Sequence, residues 1–393
     1  MRMNTKTYRI RDICSIKSGK RLPAGFDFSA EPTEFRYIRA RDIKAGKINL
    51  DDVAYIDEVT KKRIGKYIIN AGDVAITIVA NIGDIGYATS DCDGVNLTEN
   101  AVRLTAFDES VVFSKYLAYY LGQPSMKLYM ENLAAGAAQA KLGIYKIEKI
   151  KIQIPNVSIQ KSIVDVVEKY DNLIEVNNKR IKVLEQMAEN LYKEWFVRFR
   201  FPGYETAEFE NGIPKGWEIR KIGEISSIKA GGDRPPVFSD SPIEGISIPI
   251  FSNGIENEGL YGYTDKPLVK SDSVTISARG TVGYVFLRRV PYVPIVRLVA
   301  IVPDKTVVSS LYLYYYLQRD NVIANGTSQQ QITVPMVIRK RIIVPPLAII
   351  DQFGRIESPI WDAMDELKKE NDNLIKQRDL LLPRLMSGKL EVK

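Results

Sequence analysis

The chain contains one domain-sized sequence twice, and this repeat restricts its possible folds more than any other feature. RIRDICSIKSGK at residues 9–20 and KIGEISSIKAGG at residues 221–232 are identical at six of twelve positions. Three further pairs follow in the same order: IGDIGY with RGTVGY, SKYLAYYL with SLYLYYYL, and GAAQAKLGIYKIEKIKIQIP with GTSQQQITVPMVIRKRIIVP. The offset falls from 212 to 190, so the second copy is 22 residues shorter. We expect two versions of one domain whose length difference lies in loops.

Each copy has the pattern of a mixed α/β domain. Alternating apolar and polar residues predict strands at residues 35–43, 73–80 and 149–155, and again at residues 245–251 and 341–346. Residues 114–121 and 310–317 predict short helices. Tyrosines in these helices are candidates for stacking on bases or for core packing, and leucines on the same face favour the core: Tyr116, Tyr119, Tyr120, Tyr312, Tyr315 and Tyr316.

A heptad pattern follows each copy. Residues at alternating spacings of four and three form one series from Ile163 to Trp195 and another from Ile360 to Leu385. Each series contains one asparagine, Asn177 or Asn371, and a polar residue there fixes helix register at a cost in stability. Two amphipathic helices packed on their own domains are the alternative to a paired coiled coil, which the length and placement of the series favour.

The repeat and the heptads predict four segments. Residues 1–157 form a first domain, 158–200 a central helix, 201–348 a second domain with a linker at its start, and 349–393 a C-terminal helix. Pro359 is typical of a helix start or a kink in the last segment.

Composition excludes several classes of enzyme. Histidine is absent, which removes Ser-His-Asp and Cys-His catalysis and histidine-ligated zinc. The two cysteines, Cys14 and Cys92, fit a reduced intracellular chain better than a disulfide. A net charge of +7 suits a polyanionic partner. The N-terminus is polar and no apolar run is long enough to cross a membrane, so we expect a cytoplasmic protein without a membrane partner.

If the polyanionic partner is DNA, several side chains are candidates for contacts with it, because Gln and Asn pair with adenine and Arg and Lys with guanine in the major groove. Short polar loops, a strand end and the second copy's divergent positions supply them: Arg39, Arg41, Gln139, Lys141, Asn253, Arg279, Asn325, Thr327, Ser328, Gln329, Gln330 and Gln331. On a strand, Arg39 and Arg41 would share a face, although Asp42 is placed to neutralise one of them. Arg279 stands opposite Ile82 in the repeat, which indicates a role specific to the second copy. Solvated polar loops are the alternative.

No segment of the sequence matches a complete catalytic motif. IGDIG at residues 82–86 is only a GxxG turn, and DRPPVF at residues 233–238 places Arg between Asp and the prolines, unlike a methyltransferase motif. We find no carboxylate cluster with a lysine to hold Mg²⁺. We therefore expect no catalytic residue, metal or cofactor on this chain.

Several segments together resemble the specificity subunit of Type I restriction–modification systems. They are ENLYKEWFVRFRFPG leading into NGIPKGWEIRKIGEI, RDLLLPRLMSGKL near the C-terminus, and the duplicated GAAQ and GTSQ segments before IP and VPP. The resemblance implies an α/β (mixed α+β) fold: two pseudo-repeated target-recognition domains separated by two long helices that form an antiparallel coiled coil.

The resemblance also implies a function. Each domain would recognise one half of a bipartite target in double-stranded DNA, and the helices would set the gap between halves. Two methyltransferase subunits would dock and methylate adenine with S-adenosylmethionine; whether restriction subunits that use ATP and Mg²⁺ join them stays open. The alternative function is a duplicated-domain scaffold that binds proteins without recognising DNA sequence.

Overall fold

A computed structural model describes residues 4–135, 140–270, 272–319 and 331–391. The chain divides into two compact units. Unit 1 comprises residues 1–176 and 370–393, and unit 2 comprises residues 177–369. Each of the two long helices therefore contributes one part to each unit.

The described residues of unit 1 form three sheets. Their strands are β1 (Lys6–Arg9), β2 (Ser15–Ser18), β3 (Phe35–Ile38), β4 (Ile43–Lys44), β5 (Gly46–Ile48), β6 (Ala54–Ile56), β7 (Ile68–Ile69), β8 (Val74–Thr77), β9 (Ile85–Tyr87), β10 (Val95–Leu97), β11 (Ala101–Thr105) and β12 (Lys151–Ile154). The strand orders are β1-β12, β6-β3-β10-β7 and β2-β11-β8-β9-β5-β4. The helices are α1 (Glu58–Ile64), α2 (Ser114–Leu121), α3 (Pro124–Ala134), α4 (Ile144–Glu148) and the first part of α5 (Val157–Tyr192).

Unit 2 repeats this sheet plan. Its strands are β13 (Phe209–Glu210), β14 (Ile213–Pro214), β15 (Glu218–Lys221), β16 (Ser226–Ala230), β17 (Ile248–Phe251), β18 (Leu260–Thr264), β19 (Ser273–Ile276), β20 (Val285–Arg288), β21 (Val293–Pro294), β22 (Val299–Pro303) and β23 (Arg341–Val344). The orders β15-β23, β16-β22-β19-β20 and β18-β17-β21 correspond to β1-β12, β2-β11-β8-β9 and β6-β3-β10 of unit 1. The pairs β3–β10 and β17–β21 are both parallel. The helices are α6 (Ile222–Ile225), α7 (Ser310–Arg319), α8 (Val334–Arg339) and parts of α5 and α9 (Leu347–Met386).

The identities in the repeat have structural causes. Ile10 and Ile222 are fully buried at equivalent positions. The carboxylate of Asp12 accepts the backbone N–H of Arg9 at 3.1 Å, and that of Glu224 accepts the N–H of Lys221 at the same distance, so both cap the turn after the equivalent strands β1 and β15.

Glycine is required at the equivalent positions 19 and 231 for close packing of backbone. A Cβ at Gly231 would lie 2.6 Å from the carbonyl carbon of Pro294, and a Cβ at Gly19 would collide with the backbone of Thr98. Backbone atoms cannot move aside as a flexible side chain can, so both copies keep glycine there.

The extra length of unit 1 is not confined to loops, which corrects the prediction from the repeat. It includes α1 and the β4–β5 hairpin, which the described residues of unit 2 do not repeat. The hairpin joins the large sheet through β5, which pairs with β9 in parallel. An inserted hairpin can extend a sheet edge without disturbing the strands already paired.

The heptad series identify the buried faces of α5 and α9. Every residue of both series is buried or half-buried, including Asn177 and Asn371. In unit 2, Ile181 clusters with Met364, while the rings of Tyr192 and Phe353 lie 6.3 Å apart. A later residue of α5 therefore contacts an earlier residue of α9. The two helical parts of this unit run antiparallel.

The structure also shows where Pro359 and the tyrosines of the short helices lie. Helix α9 begins at Leu347, so Pro359 lies inside it and does not mark its start. The side chains of Tyr116, Tyr312 and Tyr315 are buried in the cores of their units, as the neighbouring leucines predicted.

Candidate nucleic-acid interface

Both units form the same backbone corner next to the segments that supplied most of the DNA-contact candidates. In unit 1, the N–H of Leu142 donates to the carbonyl of Ile78 at 3.0 Å, and in unit 2 the N–H of Ile332 donates to Ala278 at 3.0 Å. We call these places the unit 1 corner and the unit 2 corner. The candidates Gln139, Asn325, Thr327, Ser328, Gln329 and Gln330 lie outside the described residues, whereas Lys141 and Gln331 directly precede the residues that close the corners.

The hydrogen bonds at the corners correct one alignment of the repeat. The N–H of Gly83 donates to Thr77 at 2.9 Å, and the N–H of Gly283 donates to Ser277 at 2.8 Å. Strands β8–β9 and β19–β20 pair in the same register at an offset of 200. Arg279 therefore corresponds to Val79, not to Ile82 as the sequence suggested. Because Val79 bridges to Lys141, this places Arg279 at the unit 2 corner.

The unit 1 corner opens into a cleft of about 500 Å³. Charged and aromatic side chains line much of it: Lys20, Arg21, Tyr67, Glu99, Lys141 and Tyr145. Arg21 pairs with Glu99 at 3.3 Å but keeps 76% of its side chain exposed. Lys20 and Lys141 are exposed as well. Three basic groups and one carboxylate give this cleft a positive balance.

Aromatic rings in the cleft lie beside ammonium groups. The Nζ atoms of Lys20 and Lys66 are 5.7 and 5.4 Å from the ring centroid of Tyr67. Tyr145 is 59% exposed, and the Nζ atoms of Lys146 and Lys149 lie 6.0 and 5.9 Å from its ring. Tyr67 is half-buried, so Tyr145 offers the exposed ring flanked by cations that suits contact with a nucleic acid, whose phosphates attract the charges and whose bases offer apolar faces.

A buried tyrosine fixes the backbone of this cleft. The hydroxyl of Tyr37 donates to the carbonyl oxygen of Lys20 at 2.7 Å. Burial raises the pKa of Tyr37 to about 12, so the hydroxyl stays protonated and remains a donor at neutral pH. Lys20 is thereby held at the mouth of the cleft by a contact that the sequence did not reveal.

Asn253 organises the unit 2 corner through both ends of its carboxamide. Its Oδ1 accepts the N–H of Ala278 at 2.7 Å, and its Nδ2 donates to the carbonyl of Val296 at 2.6 Å. The corner thus brings together Asn253, Arg279 and Gln331, three candidates that are far apart in sequence. In unit 1 the N–H of Ile78 instead bonds directly to a backbone carbonyl, that of Asn100, at 2.8 Å.

Arg297 belongs to the same corner, and sequence reasoning missed it. Strands β11 and β22 align at an offset of 197, which places Arg297 opposite Asn100. Arg297 is exposed, as is Arg279. The sequence signal that could have found it was its position two residues before β22, a strand shared by both copies.

Arg39 and Arg41 make contacts of a different kind from those expected. Strand β3 ends at Ile38 and residues Ala40–Asp42 form a 3₁₀ turn, so the expected shared strand face is wrong. The Nε and Nη2 atoms of Arg39 donate to the Asp42 carboxylate, each at 3.0 Å. Arg41 donates to Asp52 at 2.9 Å and is 64% exposed. The guanidinium of Arg39 donates more hydrogen bonds to carboxylates than that of Arg41 does. Contact with DNA stays a prediction for both.

Neither a metal site nor a membrane segment emerges from the part of the chain that the structure covers. Within residues 4–135, 140–270, 272–319 and 331–391, no three acidic, cysteine or histidine side chains cluster as a metal would require. In those same ranges, no helix combines the length and apolar character needed to cross a bilayer.

Comparison with known proteins gives a consistent match over both units. The family model described as "Type I restriction modification DNA specificity domain" matches residues 3–186 and again residues 214–383. The chain is 26% identical to the Type I restriction enzyme MjaIX specificity subunit of Methanocaldococcus jannaschii, over 86% of this chain and 82% of that protein. It is 25% identical to the putative type I restriction enzyme MjaX specificity subunit of the same organism, over 90% and 87%.

A solved structure shares the fold. The S subunit of a Type-I restriction-modification system from M. genitalium superposes with a TM-score of 0.60, covering 98% of this chain and 96% of that one, at 16% sequence identity. The architecture of strands and long helices described above is therefore a known one.

Proposed function

The chain belongs to the Type I restriction modification DNA specificity domain family, and from this premise we propose that its two units each recognise one half of a bipartite DNA target. It is the DNA specificity subunit of a Type I restriction–modification system, a recognition subunit rather than a catalytic one. One observation supports the proposal that the units recognise different half-sites. The two units form the same backbone corner but present different polar side chains there.

The unit 1 corner offers Lys20, Arg21 and Lys141 beside the exposed ring of Tyr145. The unit 2 corner offers Arg279, Arg297 and Gln331. Arg and Lys suit guanine and Gln suits adenine in the major groove, so the two sets favour different base sequences. A shared frame with different side chains is what recognition of two unlike half-sites requires.

The subunit works in a complex with partners. We propose double-stranded DNA and two methyltransferase subunits as those partners, with restriction subunits in systems that also cleave. We propose that the methyl donor S-adenosylmethionine, and ATP and Mg²⁺ for restriction, bind to the partner subunits. Because the proposed target is genomic DNA, we propose that the subunit acts in the cytoplasm.

A base-resolution map of adenine methylation in the host genome, with and without this gene, tests the proposal. We expect one bipartite motif to lose methylation when the gene is deleted and to regain it on complementation. Co-purification of a methyltransferase with the tagged chain serves as the control for an active system. An unchanged methylation map despite that co-purification would contradict the proposal and support the scaffold alternative.

A further inference from the structure

The turn that carries Arg297 has an unusual backbone. The N–H of Leu298 donates to the carbonyl of Ile295 at 3.0 Å, which closes a four-residue turn whose central residues are Val296 and Arg297. Their φ angles are +51° and +63°, in the left-handed region. Among the described residues, Val296 is the only β-branched residue with a positive φ. A β-branched residue is a genuine outlier there, and such turns ordinarily use Gly, Asn or Asp.

Surrounding contacts hold this strained turn in place. The N–H groups of Val296 and Arg297 donate to the carbonyls of Gly232 and Gly231 at 2.8 and 2.9 Å. The carbonyl of Val296 accepts from Asn253 at 2.6 Å. Ile295 and Leu298, on either side, are 1% and 0% exposed. The backbone between two buried anchors is thus fixed, and the side chains of Val296 and Arg297 project to the surface.

The equivalent turn of unit 1 lacks this conformation. It spans Thr98 to Ala101 and is closed by a hydrogen bond of 3.2 Å, but its central residues, Glu99 and Asn100, do not have positive φ. The strain is therefore not a requirement of the shared fold. Strain of this kind is concentrated at functional sites and persists where the surrounding structure holds it.

We propose that Arg297 is a specificity-determining residue that recognises a guanine in the half-site bound by unit 2. An arginine that donates to both O6 and N7 is the commonest specific contact with guanine. Within the described ranges no side chain or backbone group pairs with its guanidinium, so its donors are free for a base. Arg279, by contrast, is followed by Gly280 and lies in a longer loop, which the N–H of Gly283 closes by donating to the carbonyl of Ser277.

Asn253 supports the backbone of the turn that carries Arg297. Both ends of its carboxamide are engaged by backbone groups, so it positions the turn for Arg297, and a contact of its remaining donor with DNA stays a prediction. This inference rests on the proposed function, and it deepens it by assigning one base to one residue.

The first test compares methylation motifs in cells that carry wild-type protein, Arg297→Ala or Arg339→Ala. Arg339 is an exposed arginine of the same unit at the end of α8 and serves as the matched control. We expect Arg297→Ala to make one guanine position of one half-site degenerate, while the other half-site stays unchanged. Arg339→Ala should keep the wild-type motif.

The second test uses the purified complex with its methyltransferase subunits and duplexes in which that guanine is replaced by 7-deazaguanine, which lacks N7. Because one of the two hydrogen bonds to guanine is lost, wild type should lose roughly 10-fold in affinity, and Arg297→Ala should bind both duplexes equally. Because this is a binding measurement, it remains informative when the variant methylates too weakly to map.

Three outcomes would overturn the inference while leaving the proposed function intact. They are a wild-type half-site without guanine, an Arg297→Ala motif identical to wild type, and a uniform loss of affinity for all duplexes with a shallower salt dependence. The last outcome would assign Arg297 to phosphate. A wild-type map without any bipartite motif would instead contradict the proposed function itself.

Discussion

Within unit 1, the Nη1 atom of Arg378 on α9 donates to the Asp171 carboxylate on α5 at 2.7 Å. The hydroxyl of Tyr119 on α2 donates to the same carboxylate. The two side chains of the ion pair are 24% and 16% exposed. Arg378 occupies a heptad position where an apolar residue is usual, and the facing carboxylate explains why a charge is tolerated there.

Replacing Asp171 by Asn should lower the free energy of unfolding by roughly 1 to 2 kcal/mol, because it leaves the partly buried Arg378 with only Asp379, which is 58% exposed, as a counter-ion. Urea denaturation monitored by circular dichroism measures the change. Glu58→Gln is the control, since Glu58 and Lys62 form an exposed pair that should contribute less than about 0.5 kcal/mol. Equal losses for the two variants would contradict this assignment.

Two adjacent glycines should respond differently to alanine. A Cβ at Gly231 would meet the backbone of Pro294 at 2.6 Å, whereas a Cβ at Gly232 meets nothing within 4 Å. Gly231→Ala should therefore destabilise the protein by roughly 3 kcal/mol or more, and Gly232→Ala by less than about 0.5 kcal/mol. Melting temperatures of the two variants provide the measurement. A Gly231→Ala protein with wild-type stability would show that the close approach is not real.

Relieving the strained turn should stabilise unit 2. Val296→Gly removes a β-branched residue from the left-handed region, and we expect a gain of about 1 kcal/mol in the free energy of unfolding. Val290 is 49% exposed, much like Val296 at 51%, but has no positive φ. Val290→Gly should accordingly cost stability through chain entropy. In urea denaturation, a higher free energy of unfolding for Val296→Gly and a lower one for Val290→Gly would support backbone strain at Val296. A lower value for both variants would argue against it.

Glu357 should make stability depend on pH. Its side chain is fully buried, and burial raises its pKa from 4.5 to about 7, although hydrogen bonds involving Tyr315 and Trp361 oppose the shift. Because the folded-state pKa is above the unfolded one, the penalty for the charged form is absent below about pH 4.5, grows up to about pH 7 and is constant above it.

Glu357→Gln removes that penalty. It should exceed wild type in free energy of unfolding by roughly 1 to 3 kcal/mol at pH 8 and lose most of this advantage at pH 5. Glu366→Gln is the control, because Glu366 is 73% exposed. Urea denaturation at both pH values gives the comparison; an advantage that does not change with pH would refute the buried charge.

Sequence periodicity predicted the features that depend on burial. The heptad series located the buried faces of α5 and α9, and the repeat located Ile10 with Ile222 and Gly19 with Gly231. These predictions succeed because a core position or a close backbone approach limits the residue types that fit, so the same residues recur in both copies.

Features that depend on backbone register could not be predicted from the repeat. The similarity of IGDIGY and RGTVGY paired Gly83 with Gly280, whereas the hydrogen bonds pair Gly83 with Gly283 and Ala80 with Gly280. Ala80 and Gly280 have φ angles of +64° and +68°, so alanine occupies a position where the sequence gave no signal of a left-handed residue. Arg297 was missed for the same reason, because Val-Arg is not a typical sequence for its turn.

The central claim is that each unit recognises its own half of the target, and the methylation motifs of Lys141→Ala and Gln331→Ala test it most directly. Lys141 lies at the unit 1 corner and Gln331 at the unit 2 corner. We predict that Lys141→Ala alters base preference in one half-site only and that Gln331→Ala alters it only in the other. A variant that changes both halves, or two variants that leave the motif as in wild type, would contradict the account.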